Sequence, residues 1–390
     1  MFIDVHILQT VPFSNLNRDD TGTPKTVVYG GALRARVSSQ SWKRATRLSL
    51  EKIVTSAASY RTRHPDKRLS EILEAEGVEI EKAEQIASGV FRVLGTKKEK
   101  DVVGLFSEQE LVALGLLAKE HADELAALDK ALTGELAVLK KAKRNTQEYG
   151  DADKALKDTE KAQRELRKAL TDVVSAKRPT TVALFGRMLA DNPAVNVDAA
   201  MQVAHAFSVN EIDIEDDFFA ATEDLSVPEE GSGGAHLGYA EFISATFYRY
   251  ATLDFDELVA NCDGNVDAAT ELAAAGLLAF CRSLPSGKNN VTAPHDLPDM
   301  VSIVVRPNRP VSYAAALESP VKARKEGYAL PASEVLGAYA SRVQRMLSEP
   351  PVVAGVVTTL TDEAPAGLGR SRSSLDELVA EAVQAAREAS

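Results

Sequence analysis

The sequence changes from a strand pattern to a helix pattern across residues 34–47, which run RARVSSQSWKRATR. The segment from Leu33 to Val37 is short and basic and ends in a β-branched residue, which is compatible with a strand that has one side facing solvent. Ser38 or Ser39 is a typical helix N-cap residue, and helical spacing continues from there to about Ser59. This stretch therefore predicts a strand that leads directly into a helix.

The predicted helix has two distinct faces. Steps of three and four residues place polar side chains along one face and less polar ones along another: Gln40, Lys43, Arg44, Arg47 and Glu51 on the first, and Trp42, Ala45, Ser49 and Ile53 on the second. Unpaired N–H groups in the first turn, serine hydroxyls and the basic side chains could together bind a phosphate. A solvated helix face without a ligand has the same pattern, so the spacing alone leaves both interpretations open.

The distribution of charge favours phosphate binding. The 390-residue chain has a formal net charge of -12, which argues against non-specific coating of nucleic acid. From Arg18 to Lys52, however, eight basic residues face three acidic ones, a local net charge of +5. Any phosphate-binding surface is therefore confined to this part of the chain, and the remaining surface should repel polyanions.

The rest of the chain predicts a mixed α+β fold. We expect a first strand at residues 2–9 and a turn-rich loop at 12–31, then later strands, helices and a final helix opened by the capping box Ser374–Glu377: strands at 180–185, 200–214, 241–253, 300–305 and 352–360, and helices at 266–281 and 333–347. This order is compatible with a ferredoxin-like sheet covered by helices on one side. Such a sheet leaves one face free for single-stranded nucleic acid.

Two long segments interrupt this pattern. Residues 60–177 are charged and alanine-rich, and the proline-free part at 111–170 predicts a helical insertion, either a solvated hairpin or a partner-binding coiled coil. Residues 215–239 show no clear element, and long loops of this kind are usually functional or mobile. We expect the glycines at 231–238 to provide loop flexibility, because they lack the spacing of a phosphate-binding loop.

Few other residues suggest chemistry. Cys262 and Cys281 are expected to be small core residues, and the six histidines lack metal-site spacing, so no metal or cofactor is predicted. Asp19 and Asp20 could hold Mg²⁺ near a phosphate or merely cap a turn. The remaining candidates, Met188, Phe218 and Phe219, could be core residues or could pack against nucleotide bases.

Ordered motifs through residue 253 resemble the CasC family, the repeated backbone subunit of the type I-E CRISPR Cascade complex. The resemblance rests on LNRDD at 16–20, Gly30-Gly31, RVSSQS at 36–41, KRA at 43–45, GRM at 186–188, AHA at 204–206, AHLG at 235–238, FYRYA at 247–251 and DMV at 299–301. Beyond Leu253 the matches become sparse. The charged segment 111–170 looks expanded for the family, and the aromatic pair is Phe-Phe where Trp-Phe would also fit.

The resemblance implies a palm that is a modified ferredoxin-like (RNA recognition motif-like) fold, with inserted helical fingers and a thumb. The implied boundaries are palm at 1–59, 178–212 and 241–360, fingers at 60–177, thumb at 213–240, and a linker with the C-terminal helix at 361–390. Copies would stack along a CRISPR guide RNA and present it to target DNA, together with other Cascade subunits. Residues that would hold the guide backbone are Arg18, Lys25, Ser38, Gln40, Lys43, Arg44 and Arg47, while Met188, Phe218 and Phe219 would pack against bases.

Other functions and the location follow from the same features. The family subunit is not an enzyme, whereas related backbone subunits of type III complexes cleave RNA with a loop aspartate and Mg²⁺, and Asp20 could serve that role. A stand-alone regulator that binds single-stranded RNA is a third possibility.

No apolar run reaches the 18 or so residues that a membrane helix needs, and the start lacks a signal peptide's basic residues, so we expect a cytoplasmic protein without membrane contact.

Overall fold

A computed structural model describes most of the chain. The described residues are 1–94, 103–127, 146–147, 151–152, 154, 164–189, 192–221, 236–347, 350–362 and 365–390. Among these residues, none of the helices is long and apolar enough to cross a membrane.

The described residues form strands and helices in an α+β order. The strands are β1 (Phe2–Ser14), β2 (Thr26–Tyr29), β3 (Ala32–Val37), β4 (Ser59–Thr62), β5 (Gly104–Ser107), β6 (Met201–Val203), β7 (Ala206–Ser208), β8 (Glu215–Ala221), β9 (His236–Asp254), β10 (Met300–Arg306), β11 (Val353–Thr358) and β12 (Arg370–Ser371). The α-helices are α1 (Ser39–Ile53), α2 (Pro65–Ala75), α3 (Ile80–Val93), α4 (Glu108–Glu120), α5 (Arg164–Ser175), α6 (Thr181–Phe185), α7 (Phe255–Asn261), α8 (Val266–Arg282), α9 (Asn289–Thr292), α10 (Ala329–Leu347) and α11 (Leu375–Ala389).

The chain divides into two compact units. The first comprises Met1–Ile53, Met201–Asp256 and Ala269–Ser390, and the second comprises Val54–Ala200 and Glu257–Ala268. The palm, fingers and thumb boundaries expected from the sequence remain predictions.

The first unit is built on one large sheet with the order β12-β11-β10-β1-β9-β7-β3-β2, in which β6 and β8 also pair with β9. Strand β1 lies between β9 and β10, antiparallel to both, with Val5 opposite Ala251 and Ile303. Residues 3–8 of β1 are all buried, on both faces of the sheet. A strand covered on both faces is typically a nearly continuous apolar run, which is what this sequence has apart from Asp4 and His6.

Helices cover both faces of the central strands. Tyr248 on β9 packs in a core cluster with Leu336 of α10, whereas its neighbour Arg249 contacts Trp42 of α1 and Phe280 of α8. Neighbouring residues of a strand point to opposite faces, so α10 lies on one side and α1 and α8 on the other. The expectation of a free face is therefore wrong at these strands. The sequence pattern did not indicate the helices on the second face, because polar residues such as Arg249 are buried there and polar positions in a strand usually face solvent.

Strand β1 contains two buried titratable residues with partners. Asp4 accepts hydrogen bonds from the Tyr250 hydroxyl (2.9 Å) and the Val311 N–H (2.9 Å), and burial raises its pKa to about 6. The His6 ring stacks on Tyr313 with 3.8 Å between ring centroids, and its Nδ1 lies 2.9 Å from the Tyr248 hydroxyl. Burial lowers the pKa of His6 to about 3, so the ring is neutral at physiological pH.

The second unit is mainly helical in its described part. Helices α2 to α5 contribute to one apolar cluster, which includes the buried side chains of Leu69, Ile86, Leu114 and Leu170. Ser107 caps α4 through a reciprocal capping box with Glu110. The other carboxylate oxygen of Glu110 accepts from buried Arg187 over 2.8 Å. Much of the segment 111–170, including the hairpin or coiled coil that was predicted there, lies outside the described residues.

Several predicted elements are confirmed. The strands at the amino terminus and at 300–305, the helix at 266–281 and the capped C-terminal helix are all present. Both cysteines are buried and free, and burial raises their pKa values to about 11 for Cys262 and about 12 for Cys281. These elements combine strong periodicity with clear end signals.

Other predicted elements are wrong. The strand predicted at 180–185 is instead the short helix α6 (Thr181–Phe185), because a brief buried apolar run does not distinguish strand from helix. Strand β2 lies inside the predicted loop 12–31, and the segment 200–214 contains two short strands in place of one. Helix α1 ends at Ile53, before Ser59, which begins β4.

The segment 215–239 is also more regular than predicted. Residues Glu215–Ala221 pair with residues 236–242 as an antiparallel hairpin. Acidic residues are depleted in strands, so strand propensity does not predict β8, which begins with Glu215-Asp216-Asp217. The glycines at 231, 233 and 234 lie outside the described residues.

Candidate nucleic-acid interface

Helix α1 is fixed to the first unit by a buried cation. The Arg249 guanidinium lies 3.8 Å from the centroid of the Trp42 ring and 4.7 Å from that of Phe280. It also donates to the Gln9 side-chain oxygen (2.6 Å) and to the Phe280 and Cys281 carbonyls. Burial lowers the pKa of Arg249 to about 9. This stack sets the rotation of α1 about its axis, and therefore which of its side chains face solvent.

The buried face of α1 differs in part from the predicted one. Trp42, Thr46 and Leu50, spaced by four residues, are buried. The predicted apolar residue Ile53 is exposed because it lies at the end of the helix. Gln40 and Arg44 are exposed on the opposite side, as the polar-face prediction requires.

A hydrogen bond to a side chain joins the loop at 15–25 to the start of α1. The Ser38 N–H donates to the Asn17 side-chain oxygen (2.9 Å). The Ser38 carbonyl accepts hydrogen bonds from the backbone N–H groups of Ser41 and Trp42 in the first turn of α1. The Lys25 N–H donates to the Asn17 carbonyl (2.8 Å). The loop that carries Arg18 and Lys25 is thus attached to the residue that precedes α1.

The basic residues of this region are not equivalent. Arg47 is in an ion pair with Glu51 (2.7 Å), so a phosphate would have to compete with that carboxylate. Lys43 has no ion-pair or hydrogen-bond partner among the described residues, and burial lowers its pKa. Arg34 was counted in the positive segment, but it is fully buried and donates to four backbone carbonyls. Arg34 therefore stabilises the fold and does not add to the exposed charge.

Asp19 is engaged within its own turn. Its Oδ1 accepts from the Thr21 N–H (2.9 Å), the Thr21 hydroxyl (2.7 Å) and the Thr23 N–H (3.0 Å). The hydrogen bond from the Thr21 side chain is the main cause that lowers the pKa of Asp19. Within the described ranges, no cluster of three or more His, Cys, Asp or Glu residues has the geometry to hold a metal ion.

The hairpin formed by β8 and β9 exposes more apolar surface than predicted. Phe218 is opposite Tyr239 in the register, and their ring centroids are 5.3 Å apart. Phe219 is opposite Gly238, where an added Cβ would lie only 2.5 Å from the Phe219 ring. Because neighbouring residues alternate, Phe218 and Phe219 project from opposite faces of the hairpin. Tyr239 (76% exposed) and Leu237 join the Phe218 face, and only the strand pairing reveals them.

The predicted site residues fall in both units. The first unit contains Arg18, Lys25, Ser38, Gln40, Lys43, Arg44 and Arg47 around the start of α1, and Phe218 (56% exposed) and Phe219 (42% exposed) on the hairpin. Met188 belongs to the second unit, where it is 79% exposed. Its exposure shows that it is not a core residue of that unit.

Comparison of this chain with known proteins identifies its family. A family model described as CT1975-like protein matches residues 3–381. The chain belongs to the CT1975-like protein family. No curated protein matches it significantly. Among solved structures, this CT1975-like chain is similar to a subunit titled "CRISPR RNA-guided surveillance complex, pre-nicking", with a TM-score of 0.81 and 35% identity over 99% of this chain and 100% of the other.

A second solved structure supports the same assignment. The chain titled "CRISPR RNA-guided surveillance complex" matches with a TM-score of 0.72 and 32% identity, again over 99% of this chain and 100% of that one. The resemblance to a CasC-like Cascade subunit, which the sequence motifs predicted, is thereby confirmed for this CT1975-like protein.

Proposed function

We propose that the protein is a non-catalytic backbone subunit of a type I-E CRISPR surveillance complex that binds the guide RNA through its ribose-phosphate backbone. Copies of the chain stack along the guide in the cytoplasm, next to other subunits, and present the bases for pairing with target DNA. One observation carries the proposal: in a protein of net charge -12, Arg18, Lys25, Lys43 and Arg44 lie around the start of α1, and none of them forms an ion pair with a described residue. Contacts to phosphate carry no base information, which suits a subunit that must accept any guide sequence.

In this proposal the sheet of the first unit is the palm, a modified ferredoxin-like fold, and the second unit provides the helical fingers. The hairpin of β8 and β9 is the base of the thumb. Phe218 and Phe219 lie on its opposite faces, so a hairpin that crosses the guide can contact a base on each side. Met188 has the exposure that a base contact needs. The guide is then presented in interrupted segments.

The salt dependence of guide binding tests the proposal. Lys43→Ala combined with Arg47→Ala should weaken guide binding equally for unrelated sequences, because contacts to phosphate carry no base information. The slope of log K against log salt should fall by about 0.7 for each lost contact to a single strand. The control replaces two exposed lysines outside this region, Lys322→Ala with Lys325→Ala. An unchanged slope in the first variant, or the same loss in the control, would contradict the proposal.

The alternative functions have their own readouts. Asp19 accepts hydrogen bonds from Thr21 and Thr23 of its own turn, which favours a structural role for Asp19. With complementary RNA and Mg²⁺ we expect no cleavage. Cleavage at regular intervals that Asp20→Ala abolishes would instead indicate a nuclease. Purification as an RNA-free monomer that does not stack would indicate a stand-alone regulator.

A further inference from the structure

A second basic cleft lies on the flank of α1 away from Lys43. It has a volume of about 350 Å³ between the helix and residues 283–287, and Arg44 and Lys52 line its helical wall. Lys52 and Arg47 are five residues apart, which is about 140° around the helix axis. The cleft is thus a different surface from the one formed by Lys43 and Arg47.

The lining of this cleft is suited to a phosphodiester. It contains two cations and no carboxylate, and it includes the serines 41, 49, 283 and 286. Neither Arg44 nor Lys52 is in an ion pair with any described residue, so their charges are available to a ligand. Cationic side chains and hydroxyl donors are the groups that proteins use to contact phosphate oxygens.

The cleft continues into the loop that carries Arg18. Gly287 packs so closely on this loop that an added Cβ would lie 2.4 Å from the Leu16 carbonyl oxygen. Gly287 lines both this cleft and a neighbouring one of about 460 Å³ formed by residues 16–22. The helical wall alone, from Ser41 to Lys52, extends about 17 Å. This length exceeds a single phosphate group and fits an extended strand.

We propose that this cleft binds the phosphodiester backbone of a nucleic-acid strand, with Lys52 and Arg44 as the cationic contacts and Ser286 on the opposite wall. The strand is the guide RNA or the DNA paired with it, and in that respect the inference rests on the proposed function. It extends the binding surface of the first unit beyond the polar face of α1, to which Arg44 already belongs. Lys52 and Ser286 are its new residues.

Two variants of the full chain test this cleft. Lys52→Glu reverses its charge, and Ser286→Phe fills it without changing charge; Ser286 is exposed, so the fold should tolerate the larger side chain. Lys322→Glu is the matched control, since Lys322 is an exposed lysine of the same unit that does not line the cleft. Lys43→Ala with Arg47→Ala is measured in parallel.

Two binding measurements distinguish the source of the strand. The first follows binding of guide RNA by the free chain across a tenfold range of salt, and the second follows capture of complementary single-stranded DNA by the guide-loaded chain. Loss of one phosphate contact should reduce the slope of log K against log salt by about 0.7. Over a tenfold range of salt, the ratio between the affinities at low and high salt then falls about fivefold. A reduction in the first measurement assigns the cleft to the guide, and a reduction in the second alone assigns it to the target.

The outcomes separate the two proposals. If both cleft variants match Lys322→Glu in both measurements, the cleft does not bind a strand and the inference is overturned. If Lys43→Ala with Arg47→Ala still loses guide binding in that case, the proposed function stands. If only the cleft variants reduce binding, the cleft stands and the surface formed by Lys43 and Arg47 is the one that fails.

Discussion

Helix α1 and the hairpin of β8 and β9 both carry predicted RNA contacts, but the molecule holds them in different ways. Helix α1 is fixed by the Arg249 stack on Trp42, deep in the first unit. The hairpin is held by strand pairing and by rings that remain largely exposed, such as Phe218 and Tyr239. The comparison indicates that the core positions the charges, whereas a local hairpin positions the aromatic residues.

The largest expected effect comes from Arg249. Arg249→Leu leaves the Gln9 oxygen and the Phe280 carbonyl without their donor and removes the stack on Trp42. We expect a loss of about 3 kcal/mol in the free energy of unfolding, measured by urea denaturation. Arg249→Lys keeps a cation but not the planar fork, so its loss should be smaller. A Leu variant as stable as the wild type would show that the stack does not hold α1.

The buried residues of β1 should show an opposed pH dependence. Below pH 6.5 the unfolded chain protonates His6 before the folded chain does, which lowers stability as pH falls. Between about pH 6 and 4 the folded chain protonates Asp4 first, which raises stability as pH falls. The two contributions offset each other in the wild type.

Asp4→Asn should reveal the His6 contribution alone. The free energy of unfolding of this variant, relative to wild type, should decrease by about 1.4 kcal/mol for each pH unit from pH 6 towards pH 4. Denaturation curves at each pH measure this difference. A difference that is constant with pH would mean that Asp4 is not protonated first in the folded state.

The smallest expected effect concerns the hairpin. Phe218 and Tyr239 are cross-strand neighbours on an exposed surface, so a double-mutant cycle with alanine should give a coupling of about 0.5 kcal/mol. Each single variant should leave global stability nearly unchanged, while Phe218→Ala weakens guide binding by about 1 to 3 kcal/mol if the ring stacks on a base. A global loss comparable to that of Arg249→Leu would remove the contrast between the two regions.

The sequence predicts the two regions unequally for physical reasons. Helix α1 follows Ser38, a residue type that favours the N-cap position, and has buried residues at helical spacing, so its start and much of its polar face are predictable. Its burial depends on Arg249, about two hundred residues away, and a buried arginine has no local signature. The same holds for Arg34, which the charge count treated as exposed.

The hairpin was missed because its first strand is acidic. The antiparallel register that pairs Glu215 with Phe242 also places Tyr239 opposite Phe218. The sequence around Gly238 does not by itself indicate that these two rings are neighbours. Likewise, Lys52 and Ser286 are more than two hundred residues apart, so only the tertiary structure brings them to one cleft. Local pattern therefore predicts elements, and long-range contacts decide which side chains form the surface.

A cryo-electron microscopy structure of the chain bound to guide RNA tests the central claim most directly. Phosphates of the guide should lie within hydrogen-bonding distance of Lys43 and other basic residues at the start of α1, with no base-specific contact from that helix. A guide bound elsewhere, with the basic side chains of α1 facing open solvent, would contradict this account.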